Sequence, residues 1–539
     1  VKFEAADQEH QGRSAFKVMI AYERWLQSAG PVRQRELAVL RLTGLFDRPM
    51  AKPCLQALRA EPAIPGLTDA LVTLTEQQWN IAVTRLSQVE LLSVSLEAID
   101  AHPLIREYFA AQLKRDQPAA FQAAHARLFD YLCENTPPRP DGLDGLAPLY
   151  EAVTHGCLAG RHQEACDKVY FDRILRGAGN DGFYSSKKLG AIGADLAAVA
   201  AFFDQPWRQV SPNLTEADQA WLLNQAAYSL RALGRLSEAL QPMRAGLEMA
   251  VRLKDWMNAA IGASSLSELE VMLGRLPDAV TDARQSITYA DQSGDALVRM
   301  ARRTSAADAL HQSGQRMEAG TLFAEAERMQ QEKQPQFDLL YSLAGVRYCD
   351  WLLAPAEQAA WQQLLDQPLS NSRSQISDGL VEVERRATAV IKRRNGLQTY
   401  VLLDIALDHL TLARVGLIRA ILANPLPQPK LNLPHVAAAV NGLRAAGQMD
   451  HLPRGLLTAS LYHFVRGEHA LALKHLADAQ QIAERGPMPL FLADIHLTRA
   501  RLFYDRNELA KAGELIRTLG YGRRYEEIAD AEKALGKDG

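Results

Sequence analysis

LRALGRLSEALQPM (residues 230–243), EVMLGRLPDAVTDA (270–283) and LHQSGQRMEAGTLF (310–323) are three versions of one phrase, set forty residues apart. Each runs an apolar helix into a glycine (Gly234, Gly274, Gly314) and places alanine five positions later (Ala239, Ala279, Ala319). Glycine supplies the left-handed turn that ends a helix, and the alanine lets the next helix approach its partner closely. A fixed period of this length is the mark of a stacked helical-repeat array. Toward the other end, Gly467 with Ala472 and Asn507 with Ala512 repeat the step, again forty apart, whereas the 153 residues between Gly314 and Gly467 are not a multiple of forty. The array therefore comes in two blocks with a register slip between them. A period of forty lies between the tetratricopeptide length of about 34 and the HEAT length of about 40–47. The small-x-x-x-large step of Ala239 and Met243, Ala319 and Phe323, Ala472 and Leu476, and Ala512 and Ile516 favours tetratricopeptide-like pairs with lengthened helices.

Around these blocks the text changes. Residues 1–135 read as short helices, among them an amphipathic one through Phe16, Met19, Ile20, Tyr22 and Trp25, then Glu36 to Thr43 and Glu76 to Leu86. An alternating stretch, Leu91 to Asp100, predicts a hairpin, and His102-Pro103 opens a further helix. Helices followed by a hairpin describe a small winged-helix-like domain. Thr136 to Gly142, with three prolines, cannot continue a helix and marks a boundary. An irregular helical connector (146–212) leads to the first repeats (213–366), with a degenerate fourth pair turning at Ala354-Pro355. Long helices at about 377–395 and 397–423 and the Pro-rich Asn424 to Pro434 linker fill 367–452, and the C-terminal repeats occupy 453–539. The expected fold is all-α.

At 539 residues the chain exceeds one compact core, and a formal charge of -3 gives no global reason to expect a nucleic-acid or anionic-membrane partner. Five cysteines without framework spacing point to a reducing, cytoplasmic setting. No charged and apolar leader is visible, so no signal peptide is expected, and charges interrupt the apolar stretches 191–203 and 400–422, so no membrane span is expected either.

Chemical motifs are sparse. Gly177-x-Gly179-x-x-Gly182 matches a dinucleotide fingerprint in letters but follows a helix rather than a strand, which reads as a helix connector. No GxxxxGK[ST] occurs, so the chain carries no phosphate-binding loop. His155, Cys157, His162 and Cys166 stand close enough for zinc, yet the paired Cys-x₂₋₄-Cys spacing is missing, and buried cysteines beside turn histidines are the plainer reading. The basic run Glu384 to Arg394 either faces nucleic acid or an acidic partner or, as the plainer reading, is a solvated helix face. No Ser/His/Asp or Cys/His constellation rises above the 13 histidines, and no catalytic or metal residue is expected.

Several phrases together resemble the winged-helix segment and C-terminal repeats of bacterial STAND (NACHT or NB-ARC type) signalling ATPases. They are Ala21 to Leu26, Arg35 to Pro49, His102 to Ala110, Gly486 to His496 and Gly520 to Glu527. The resemblance implies a non-catalytic sensor half that lies downstream of an ATPase core and an effector and holds the protein inactive until a ligand binds. It implies ATP or ADP with magnesium in a longer parent, with no cofactor in this chain. His102 is the matching position for a histidine that contacts nucleotide phosphate, a role open to it only in that longer parent. The partners implied are the upstream nucleotide-binding domain and a protein or peptide ligand, with a phage protein as a trigger and an oligomer formed on activation. The rival readings are the helical-repeat sensor of an ATP-dependent transcription activator and a plain scaffold.

In tetratricopeptide geometry the first helix of each pair forms the concave wall. Anchoring the frame on the glycines selects Trp221, Asn224, Tyr228 and Arg231, then Ser264, Glu268 and Val271, then Thr304, Asp308 and His311. The second block adds Leu457, Leu461, Phe464, Arg501 and Tyr504. Mixed aromatic and charged groups suit a protein or peptide ligand.

Overall fold

The computed structural model describes residues 19–27, 30–178, 182–397, 401–423 and 426–536 and divides into two compact units, Val1–Ile174 and Leu175–Gly539. Phe16, Gly179, Asn424 and Pro425, on which parts of the sequence reading rest, lie outside the described residues.

The first unit contains α1 (19–27), α2 (Pro31–Thr43), β1 (Met50–Ala51), α3 (Lys52–Arg59), α4 (Glu76–Gln88), β2 (Ser93–Val94), β3 (Ala98–Asp100), α5 (Pro103–Asp116), α6 (Pro118–Glu134), α7 (Gly142–Leu158) and α8 (His162–Glu164). A π-helical stretch, Ala165–Ile174, continues α8. Thr75 starts α4 with a capping box, its hydroxyl accepting from the Gln78 N–H while the Gln78 side chain accepts from the Thr75 N–H. The predicted hairpin is β2–β3, and β1 joins it on the other edge to give an antiparallel sheet of order β1-β3-β2 in which Ile99 faces both Met50 and Val94. Buried Glu23 ties three helices together by accepting from Tyr108 Oη at 2.6 Å and from Arg41 at 3.2 Å. The Pro-rich segment turns the chain between α6 and α7, which pack against each other.

The second unit opens with a π-helical turn (Tyr184–Lys188), α9 (Ile192–Ala200) and the hairpin β4 (Phe203–Gln205) and β5 (Gln209–Val210). The regular block follows as α10 (Glu216–Ala232), α11 (Leu236–Arg252), α12 (Trp256–Met272), α13 (Leu276–Ser293), α14 (Ala296–Gln312) and α15 (Arg316–Lys333). Then come α16 (Ser342–Leu364), α17 (Arg373–Leu397), α18 (Leu402–Ala423) and α19 (Pro434–Ala445). The chain closes with α20 (Leu452–Val465), α21 (His469–Arg485), α22 (Pro489–Phe503), α23 (Arg506–Thr518) and α24 (Tyr525–Leu535). Consecutive helices pack as antiparallel pairs, and the unit is an all-α, tetratricopeptide-like helical-repeat array.

The glycine beat has one local cause. Gly234, Gly274 and Gly314 take φ of 78°, 72° and 87°. Each first helix ends in the same motif: Gly234 N–H donates to Arg231 O at 2.9 Å and Arg235 N–H to Leu230 O at 2.8 Å, and the pattern recurs at the other two turns. Gly467 repeats it, donating to Phe464 O at 2.9 Å. The alanines five positions on, with Ala472 and Ala512, are all fully buried.

Two expectations fail. Ala354-Pro355 is no turn, because α16 runs unbroken through Pro355; one missing N–H is outweighed by the buried face of Leu353, Ala356, Ala359 and Ala360. Asn507 is no turn residue either. It lies in the first turn of α23, and the left-handed position falls earlier, at Tyr504 with φ 54°.

The array curls on itself so that the regular block's turns meet later turns and helix starts. A Cβ added at Gly234 would lie 3.7 Å from Met449 Cβ, one at Gly274 2.8 Å from both Leu519 and Pro489, and one at Gly314 2.9 Å from Gly522 Cα. Met449 N–H also donates to Ala232 O at 2.7 Å. A single apolar core runs from Ala227, Leu230 and Leu269 of the regular block to Leu443, Leu456 and Ile495.

Candidate functional site

Because the array curls on itself, its inner wall borders a cavity of about 150 Å³. The first helices of the pairs face it: α12 supplies Glu268 and Val271, α14 Ser305, Asp308 and Gln312, α16 Arg347, Asp350 and Glu357. From the other side come Arg414 of α18, Arg454, Leu457 and Thr458 of α20, Phe491 and Asp494 of α22, and Tyr521, Arg523 and Arg524 ahead of α24. A smaller cavity of about 80 Å³ shares Glu357, Arg414 and Leu457 and adds Trp361, Leu461 and Arg501.

Charge organises this interior. Glu268 accepts from Arg231 at 2.8 Å and pairs with Arg347 at 2.6 Å, and Ser305 Oγ donates to it at 3.2 Å. Asp350 receives Arg414 at 2.6 Å and Arg523 at 2.5 Å, while Glu357 receives Arg414 at 3.0 Å and Arg523 at 3.3 Å. Asp494 accepts from Arg524 at 2.8 Å and from Tyr521 Oη at 3.2 Å. Arg501 donates to Glu527 at 2.8 Å and stacks over Trp361 at 4.7 Å. Burial alone would raise these carboxyls, but the guanidinium groups outweigh it and hold Glu268 and Asp350 well below the ordinary range. Burial, only partly offset by Asp450, pushes His451 down to about 4, so it stays neutral at pH 7.

Of the residues read as the concave wall, Glu268, Val271, Asp308, Leu457, Leu461 and Arg501 line these cavities. Arg231 lies against Glu268 behind the wall, and Tyr228 accepts from Gln448 at 2.7 Å. Ser264, Thr304 and His311 are buried between helices. Trp221 and Asn224 are half-buried on α10, with Asn224 Oδ1 2.8 Å from the place a Cβ on Gly246 would occupy. Phe464 packs edge-on against Phe503 at 5.7 Å, and Tyr504 is 64% exposed. The sequence reading missed Arg347, Asp350, Glu357, Arg414, Arg454, Asp494, Arg523 and Arg524. A usable signal was the spacing of Arg454, Leu457, Thr458 and Leu461, one apolar-polar stripe on a helix.

The remaining motifs have structural occupations. His155 Nδ1 lies 2.8 Å from His125 Nδ1, and burial pushes the two imidazoles down to about 4 and about 3, so this pair is neutral at pH 7. These histidines form the floor of an open pocket of about 520 Å³ between α2, α5, α6 and α7. His102 caps α5, its Nδ1 accepting from Leu104 N–H at 3.3 Å. In the basic run, Arg386 binds Glu327 through both terminal nitrogens and Arg393 covers Phe337 at 3.7 Å. No helix among the described residues is long and apolar enough to cross a membrane.

No protein-family model matches the chain, and no curated protein does. Among solved structures it is similar to a Rap protein complexed with competence and sporulation factor, at 12% identity and a TM-score of 0.38, over 76% of this chain and 94% of that one. It is also similar to a Signal Transduction ATPase with Numerous Domains (STAND) protein with a tetratricopeptide repeat sensor from Pyrococcus horikoshii, at 12% identity and a TM-score of 0.26. That likeness covers 94% of this chain and 66% of that one. At these scores neither likeness bears on what this chain binds.

Proposed function

We propose that the chain is the ligand-sensing and autoinhibitory half of a STAND-type signalling ATPase, and that the inner cavity of the helical array is where its ligand is read. The cavity carries this reading. A scaffold presents an outer face, whereas here the wall residues of α12 to α22 converge on one inner, charge-lined volume where a ligand meets several helix pairs at once. The first unit supports it with the element order helix, strand, two helices and hairpin, and a sheet of order β1-β3-β2, as in a winged helix. His102, at the start of α5, is then the residue that meets nucleotide in the parent protein.

On this reading the protein is cytoplasmic, its ligand is a protein or peptide, a phage product is the trigger, and ligand binding releases an oligomer-forming ATPase. The chain itself catalyses nothing. The test is the coding frame upstream of Val1, where an ATPase core with a phosphate-binding loop is expected; a frame that lacks one removes the STAND assignment. Hydrogen exchange on the parent protein with and without phage lysate checks the sensor role. Faster exchange at the Gly274 and Gly314 turns is expected with the trigger, and no change there counts against it.

A further inference from the structure

We infer that the cavity receives a carboxylate or phosphate group and that Arg454 is the residue that binds it; this rests on the reading of the cavity as a ligand site. Five arginines and five carboxylates line the space. Four of the arginines are already committed, Arg347 to Glu268, Arg414 and Arg523 to Asp350, and Arg524 to Asp494. Every carboxylate of the wall is likewise held, including Glu357 by Arg414 and Asp308, whose nearest cation is Arg347 Nε at 3.7 Å. Arg454 is different. Among the described residues its guanidinium makes no hydrogen bond or ion pair, and its recorded side-chain neighbour is the Phe491 ring at 5.8 Å.

The charge of Arg454 reaches Asp350 only at longer range, and a half-buried guanidinium without a hydrogen-bonded partner keeps its donors free for one. Its surroundings favour an anion. Arg454 stands in the first turn of α20 and Phe491 in the first turn of α22, so two helix starts, where the backbone dipole is positive, face the same space. A cation would find no free carboxylate, since each already faces an arginine. At about 150 Å³ the cavity holds a handful of waters or one anionic group with a few attached atoms, which fits a small dicarboxylic acid or the last residue of a peptide.

Calorimetric titration of the purified chain separates the sources, using succinate, inorganic phosphate, and trialanine with a free or an amidated C-terminus. At least one anion is expected to bind wild type; preference for free-acid trialanine over its amide marks a peptide end, and preference for succinate or phosphate marks a free small anion. Arg454→Ala is expected to weaken that binding by about tenfold or more, with partial recovery in Arg454→Lys. Both variants should melt close to wild type, because no ion pair is lost. Absence of binding by every anionic probe at millimolar concentration, or equal binding by Arg454→Ala, overturns the inference. The cavity-filling Leu457→Trp distinguishes the two levels. If it abolishes binding of amidated trialanine while anions fail, the cavity remains a ligand site and only its anion preference falls; if it changes nothing, both fall.

Discussion

The regular block α10–α15 and the long helices α16–α18 wall the same cavity by opposite means. In the first, helices of 17 or 18 residues meet through fully buried alanines, and the Gly314 turn closes on backbone. In the second, α16 and α18, of 23 and 22 residues, carry Arg347, Asp350, Glu357 and Arg414 into the interior and join the rest of the wall by charge. Packing repeats because it asks the same thing of every pair. A charge network does not repeat, since each arginine answers its own particular set of carboxylates. The contrast teaches that regularity here marks the frame, and that the charges of α16 and α18 meet carboxylates such as Glu268 that the frame holds out to them.

The sharpest way to break this contrast is Asp350→Ala. Arg414 and Arg523 would face the interior without the carboxylate between them, and a loss of about 3–5 kcal/mol is expected in chemical denaturation. A loss below about 1 kcal/mol would mean that water already does the work of Asp350. Next is Gly314→Val, which forces a branched side chain into the left-handed region and against Gly522, at an expected cost of about 2–4 kcal/mol. Gly294→Ala is its control, with φ 70° and nothing within 4 Å of the added carbon, and should cost about 1 kcal/mol. Equal losses would show that the turn contact is loose.

Two buried carboxyls titrate with opposite sign. Glu270 of the regular block is raised by burial and by neighbouring Asp282, so its folded pKa exceeds the unfolded one and stability falls as pH rises between them. Glu270→Gln should remove that slope, which one proton limits to about 1.4 kcal/mol per pH unit. Asp350 is depressed instead, so its stabilisation is present above the ordinary carboxyl pKa and is lost only as pH falls through its lowered folded value. Stability curves of wild type and Glu270→Gln between pH 5 and 9 check the first sign. If they run parallel, Glu270 is not titrating in the fold. The smallest effect belongs to the exposed pair Arg284 and Glu318, where Arg284→Ala should change stability by no more than about 0.5 kcal/mol.

What could be read in the sequence follows the same division. The turn glycines and the alanines five positions on act within one helix pair, so their period shows in the text. Arg414 and Asp350 are 64 positions apart, and Arg523 and Asp350 are 173 apart, so no local pattern joins them. Of the residues chosen by frame alone, Glu268, Val271 and Asp308 line the cavity. Tyr504 faces solvent because the final pair turns ahead of Asn507, which moves the expected wall off the inner face. Pro355 misled for another reason: a proline stops a helix only when nothing else holds the turn.

The closure at Gly314 is made by main chain, with a Cβ on Gly522 falling 2.3 Å from Ser313 O. Main-chain contacts of this kind are indifferent to the letters around them, provided the two glycines stay. The arginines and carboxylates of the interior can therefore be exchanged without dismantling the latch. Closure and lining are in this way separate determinants, so the interior can be rebuilt by substitution while the ring stays shut at Gly314 and Gly522.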